Sequence, residues 1–174
     1  MIALRIFFYT TVFCLTLIYF LPKNEIVSFV DNKILQKEKI KTNIILQNKL
    51  LQYQADNSEI LYDKNPTATI DTITISPYIF YNNVKLEKIK LEGMAGSIFP
   101  NKINNATLNY SILNPTQVTI AINGDFGVAN GYFDIIKSSL YLELTASNLL
   151  KKRYSFILKS MKKSNKKYIY EYQL

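Results

Sequence analysis

The residues with the clearest chemical potential in this chain are basic ones near its C-terminal end. Eight Lys and Arg residues lie between Lys151 and Lys167, with no acidic residue among them. This segment accounts for the net charge of +8, since the rest of the 174-residue chain carries as many acidic as basic residues. Concentrated positive charge attracts anionic partners. Any argument for such a partner therefore depends on this one segment.

The same segment has the apolar spacing of a helix. One apolar stripe over residues 148–163 is formed by Leu149, Leu150, Tyr154, Ile157, Leu158 and Met161, and Ser147 precedes them as a cap. The candidate interaction surface is the basic side of this helix: Lys151, Lys152, Arg153, Lys159, Lys162 and Lys163. It could lie on an anionic membrane or a protein, or cover one opening of a β domain with its lysines solvated. A nucleic-acid partner is the weakest alternative, because no aromatic residues interleave with the basic ones.

Other reactive side chains are scarce. The chain has no His, and its one Cys, Cys14, lies in an apolar run, so the usual zinc sites, disulfides and imidazole bases are excluded. Asp125 and Asp134 are candidate acids near glycines, but Asp beside Gly is ordinary turn chemistry. We therefore expect a protein that is not an enzyme, with no catalytic residue, bound metal or cofactor.

The first 22 residues are almost entirely apolar, with Arg5 as the single charge. From Ile6 to Leu21 the run is uninterrupted, and with the preceding residues it reaches roughly the 20 that a bilayer requires. A cleaved signal peptide is the alternative, but small residues are missing before Pro22. We expect a single-pass inner-membrane anchor over residues 4–22. Basic residues on both flanks leave the orientation open, and the β-rich body favours a periplasmic domain.

The remainder divides into a juxtamembrane segment at 23–41 and a β domain at 42–174. Alternating β-branched residues and turn signals every 8 to 12 residues predict antiparallel strands. We expect turns at Asn82-Asn83, Asn123-Gly124 and Asn130-Gly131, and a bulge between Leu86 and Ile89. The predicted fold is mainly β: a transmembrane helix, then one open or jelly-roll-like antiparallel sheet with one C-terminal amphipathic helix.

Several short sequence segments resemble those of the type II secretion system protein N family. They are ITISPYIF at 73–80, LEGMAGSIFP at 91–100, NYSILNP at 109–115, GDFG at 124–127 and YIYEY at 168–172. The family layout is an N-terminal anchor followed by a periplasmic β domain, and this chain is shorter than typical members. The resemblance implies a non-enzymatic accessory of a trans-envelope machine in Gram-negative bacteria. The resemblance assigns no functional role to any individual residue of this chain.

Two functions follow as hypotheses. One is an anchored periplasmic component of a type II secretion-like or DNA-uptake apparatus, with other envelope-machine proteins as partners. The alternative is a lipid-handling protein resembling the lipopolysaccharide-transport bridging protein, which shares the layout and would offer an apolar groove to an acyl chain. Lipid is thus a candidate partner, and nucleic acid is an unlikely one.

Overall fold

A computed structural model describes Tyr9 and residues 39–49, 52–78 and 80–173. These residues form one open antiparallel sheet of 11 strands with three short helices. The predicted anchor at 1–22, apart from Tyr9, and most of the juxtamembrane segment at 23–41 lie outside the described residues. Within the described part of the chain, no helix has the length and apolar character needed to span a membrane.

The strands and helices follow one another along the chain. The strands are β1 (Ile40–Asn43), β2 (Gln47–Lys49), β3 (Gln52–Tyr62), β4 (Asn65–Pro77), β5 (Tyr81–Leu91), β6 (Lys102–Ser111), β7 (Asn114–Gly124), β8 (Gly127–Asp134), β9 (Ser139–Ala146), β10 (Lys162–Ser164) and β11 (Lys167–Gln173). The helices are α1 (Gly93–Ile98), α2 (Asn148–Arg153) and α3 (Ser155–Lys159).

The sheet is a meander from β3 to β9, each strand pairing with the next one in sequence. At one edge β1 and β2 both pair with β3. At the other edge the chain leaves β9, forms α2 and α3, and returns as the edge strand β10. Strand β11 then fills the position between β9 and β10. The predicted antiparallel β domain is confirmed, as an open sheet.

Side chains alternate between two faces of this sheet, as the period of two predicts, except at a few local irregularities. One face is apolar and contains both clusters of buried residues, which meet at Ile122. The other face is mainly polar, and its cross-strand neighbours include Thr74, Lys85 and Thr107. In the final strand, Tyr168 and Tyr170 lie on the apolar face opposite Leu144 and Leu142.

Two predicted turns are wrong. Asn82 and Asn83 lie inside β5, paired with Pro77 and Ser76. The chain instead reverses just before them, where the Tyr78 N–H donates to the Tyr81 carbonyl. The Asn83 side-chain amide donates to Asn109 on β6, so its polarity serves a cross-strand bond rather than a turn.

The Asn130-Gly131 prediction is also wrong, because both residues pair within β8. Gly131 is required there because a Cβ would collide with the Tyr141 carbonyl on β9. The Asn123-Gly124 prediction is correct to within two residues. Strand β7 ends at Gly124 and β8 begins at Gly127, whose φ of +117° favours glycine.

The predicted phase change in β5 is present. Lys88 has a φ of +51°, and pairing with β4 skips from Glu87 to Ile89. Asn57 on β3 has the same conformation, with a φ of +50°. These left-handed residues let both flanking apolar stretches face the same side of the sheet. Strands β3 and β5, which flank β4, therefore carry this irregularity at the same level of the sheet, and the pairing register on either side of it is unchanged.

The single C-terminal helix predicted over residues 148–163 is wrong in extent. Tyr154, with φ −124° and ψ 33°, breaks it into α2 and α3. In one continuous helix, the side chains of Leu150 and Leu158 would point in directions about 80° apart around the axis. The break at Tyr154 allows both side chains to be buried against the sheet. Residues 162–164 continue as β10, so Lys162 and Lys163 lie on a strand rather than on a helix. The connection between β5 and β6 contains α1.

Candidate functional site

The apolar face of the sheet is continuous across eight strands. One cross-strand row runs from β3 to β11 through residues that are all apolar or aromatic: Ala55, Ile73, Leu86, Ala106, Ile122, Ala129, Leu144 and Tyr168. The next row runs parallel to it through Tyr53, Ile75, Val84, Leu108, Ile120, Gly131, Leu142 and Tyr170. These rows make a strip that water solvates poorly.

Helices α2 and α3 cover part of this strip. Leu150 on α2 is only 2% exposed, and Leu158 on α3 is 7% exposed. Both pack with Ala129, Leu144 and Ala146 in one buried cluster. The helices are too short to be stable alone, so their contact with the sheet holds them in place.

Ser147 fixes where α2 begins. Its hydroxyl accepts a hydrogen bond from the Leu150 N–H at 3.1 Å, as the sequence predicts for an N-cap. The same hydroxyl donates to the Asp125 carbonyl at 2.6 Å, and the Ser147 N–H donates to the Phe126 carbonyl. This one side chain therefore joins the helix to the turn between β7 and β8.

An apolar cavity of about 230 Å³ lies between the sheet and the helices. Its lining contains no side chain that can donate a conventional hydrogen bond: Leu91, Phe99, Pro100, Ile103, Ile122, Phe126, Ala129, Leu142, Leu144, Leu150, Ile157 and Met161. Such a space suits hydrocarbon, because an unpaired polar group placed in it would lose its hydration. We call this space the apolar cavity.

The predicted basic residues are exposed, but the structure divides them between elements. Lys151, Lys152 and Arg153 end α2, Lys159 ends α3, and Lys162 and Lys163 belong to β10. We call these six residues the basic surface. Within the described part of the chain, none of the six forms an ion pair, and of the eight basic residues in the segment only Lys167 does so.

A second groove, of about 330 Å³, opens on the β8–β9–β11 part of the sheet, where Tyr132 stacks on Tyr141. Beside it Lys167 Nζ donates to Glu143 at 2.7 Å, and the Tyr141 hydroxyl donates to the same carboxylate at 2.9 Å. These bonds, first that from Lys167, lower the pKa of Glu143. The bond to Glu143 raises the pKa of the Tyr141 phenol. Both groups are solvated, and the arrangement is an ordinary surface network.

The two candidate carboxylates do not come together as an acid–base pair. Asp134 is buried and accepts a hydrogen bond from the Lys137 N–H at 2.8 Å, which closes the turn between β8 and β9. Asp125 lies at the other end of β8, in the turn that follows Gly124. Among the described residues, no group of three His, Cys, Asp or Glu side chains could hold a metal ion.

The sequence analysis did not identify the cavity, because its lining comes from segments far apart in the chain. Alternation places Ile122, Leu142 and Leu144 on a buried face, but Phe99 and Phe126 come from connections whose path only the tertiary structure defines. Comparisons with known proteins add nothing to this geometry: no protein-family model, curated protein or solved structure matches the chain.

Proposed function

We propose that this chain is a lipid-handling protein of the bacterial envelope that binds an acyl chain in the apolar cavity. The supporting observation is the lining itself, which offers hydrocarbon and one thioether to a ligand. The cavity volume of about 230 Å³ is larger than the roughly 150 Å³ of an enclosed engineered cavity that binds benzene, and the cavity is partly open to solvent, which would let a ligand enter. The ligand class is therefore hydrocarbon.

The shape of the apolar strip favours a chain-like ligand over a compact one. Beyond the cavity the second row continues through half-buried residues, among them Leu108, Ile120 and Leu142. Leu142 belongs both to this row and to the cavity lining. An extended hydrocarbon that begins in the cavity would find further apolar contacts along the strip.

The proposal includes the location predicted from the sequence. Residues 4–22 anchor the protein in the inner membrane, and the β domain lies in the periplasm, where envelope lipids pass. The proposed function is binding. Asp125 and Asp134 serve turns, and Glu143 pairs with Lys167.

The test blocks the cavity and compares a matched substitution. Ala129→Phe places a ring in the lining, whereas Ala121→Phe adds the same ring on the opposite, polar face of the neighbouring strand. The full-length protein and both variants are purified from membranes, and co-purifying lipid is quantified by mass spectrometry. We expect lipid with the wild type and with Ala121→Phe, and loss of lipid with Ala129→Phe. Lipid absent from all three, or present equally in all three, would refute the proposal.

A second function is supported by the edges of the sheet. Strand β10 pairs only with the first three residues of β11, Lys167 to Ile169. Within the described part of the chain, the outer edge of residues 170–173 has no strand partner, and such an open edge can accept a strand from another protein. Such pairing suits a component of a type II secretion-like or DNA-uptake apparatus. In-vivo crosslinking of the tagged protein would then recover a secretin, a platform protein or pseudopilins. A deletion strain with intact secretion, pilus assembly and transformation would exclude it.

A further inference from the structure

The outer side of α2 and α3 combines positive charge with an exposed aromatic ring. Phe156 lies two residues before the buried Leu158, about 200° away around the helix, and it is 54% exposed. Lys152 has the same relation to the buried Leu150. The helices therefore direct one set of leucines to the sheet and a phenylalanine and a lysine to the outside.

Lys163 lies opposite Tyr168 and so faces the side of the sheet that the helices cover, whereas Lys162 lies opposite Ile169 on the polar face. The charge on the helix side is uncompensated. None of the six residues of the basic surface forms an ion pair within the described part of the chain. Neither helix has an acidic residue in its first turn. The basic surface is thus free to attract an anion from outside the molecule, and its attraction falls off within a Debye length.

The N-terminal chain arrives at the same end of the sheet. At that end, backbone hydrogen bonds join each connection between strands to a neighbouring one, from Lys39 to Ser147. The N–H groups and the carbonyls that accept from them are Asp63 and Lys39, Glu92 and Thr67, Leu91 and Asn101, Asp125 and Lys102, and Ser147 and Phe126. Residues 23–38 separate Lys39 from the predicted anchor and can span at most about 55 Å. An anchor at 4–22 would therefore allow this end of the sheet to reach the bilayer.

We propose that the basic surface, apart from Lys162, docks together with Phe156 onto an anionic lipid bilayer. Lysines attract the phosphate headgroups, and the phenylalanine ring enters the interfacial region between them. A single exposed aromatic suits a bilayer better than single-stranded nucleic acid, which stacks successive bases on several rings. This docking does not depend on what fills the apolar cavity. It would bring the cavity within about 10 Å of lipid, one helix diameter away.

The chain has no Trp, so one substitution creates a unique fluorescent reporter. Full-length Phe156→Trp is reconstituted into phosphatidylcholine vesicles with or without about 30% phosphatidylglycerol, with brominated acyl chains as quencher. The matched control is Phe80→Trp, because Phe80 is 65% exposed and lies at the opposite end of the sheet, beside the turn after β4. Urea unfolding of each variant verifies its fold.

We expect strong quenching of the Phe156→Trp emission in the anionic vesicles and little in pure phosphatidylcholine, with Phe80→Trp unquenched in both. Raising the salt to about 1 M shortens the Debye length to about 3 Å and should abolish the effect. Adding Lys151→Gln, Lys152→Gln and Lys159→Gln removes three charges, each contributing about 1 kcal/mol, and should lower the docked-to-free ratio on the order of 100-fold.

Equal quenching at the two positions, or quenching that ignores lipid charge and salt, would overturn the proposal. A mixed-sequence oligonucleotide that shifts the Phe156→Trp emission when anionic vesicles do not would assign the surface to nucleic acid and overturn it as well. Lipid co-purification with the Ala129→Phe variant is measured separately, so failure of the docking and failure of the cavity proposal give different results.

Discussion

Truncating Leu150 tests whether α2 packs on the sheet as described. Leu150→Ala removes three carbon atoms from a side chain that is 2% exposed, and at about 0.8 kcal/mol per carbon the transfer loss is about 2.4 kcal/mol. Leu→Ala substitutions in cores cost roughly 2 to 5 kcal/mol, the excess coming from the new void. Leu150 already borders the apolar cavity, so fewer packing contacts are lost. We expect a cost of about 2 to 3 kcal/mol.

The matched control is Leu149→Ala, which removes the same atoms one residue earlier in the same helix. Leu149 is 37% exposed, so we expect about 1 kcal/mol. The assay is urea unfolding of the full-length protein in mild detergent, followed by tyrosine fluorescence. Equal costs for the two substitutions would refute the orientation of α2. A cost near zero for both would refute its packing on the sheet.

Two further perturbations concern the residues that hold this region together. Ser147→Ala removes both the N-cap of α2 and the bond to the Asp125 carbonyl, and should lower the free energy of unfolding by about 1 to 2 kcal/mol. Ser147→Thr keeps a hydroxyl and should retain most of this stability. Equal urea-unfolding midpoints for the two variants would contradict this. Lys167→Met should raise the pKa of Glu143 toward its model-peptide value of 4.5 in an NMR titration, because the lysine is the main cause of the lowered pKa, and Lys163→Met should leave it unchanged. A carboxylate with a lowered pKa stabilises the fold above its unfolded pKa, so this contribution is lost as the pH falls below about 4.5 through the folded pKa.

The sequence predicts the sheet well because its signal is local. Alternation of β-branched and polar residues in β4, and the phase change around Lys88 in β5, are both visible in a short window. The cap at Ser147 is visible for the same reason. These features depend on residues two to four positions apart, so a short stretch of sequence is enough to predict them.

The errors come from residues whose role is set by another strand. Gly131 resembles a turn residue in sequence, but its missing side chain makes room for the Tyr141 carbonyl on β9. Asn83 resembles a turn residue too, but it donates to Asn109 on β6. The break at Tyr154 has no local marker such as Gly or Pro, and depends on Leu150 and Leu158 both reaching the sheet.

The basic surface could be predicted from the sequence, whereas the apolar cavity could not. The six basic residues are contiguous enough in sequence to be named in advance, and the structure places all of them in solvent. The apolar cavity needs Leu91, Ile122, Leu142 and Ile157 to meet, and their separations along the chain carry no signal of that meeting. The function proposed for the cavity therefore depends on tertiary structure, whereas docking at the basic surface depends on both.

The most direct test of the central claim is photocrosslinking from inside the cavity in living cells. A photoreactive phenylalanine analogue replaces Leu142, which lines the cavity, or the adjacent Tyr141, which lies on the opposite face of β9. After irradiation the full-length protein is purified and its mass measured. Acyl-chain binding predicts a lipid adduct from position 142 and none from position 141. Adducts at neither position, or equally at both, would contradict the account.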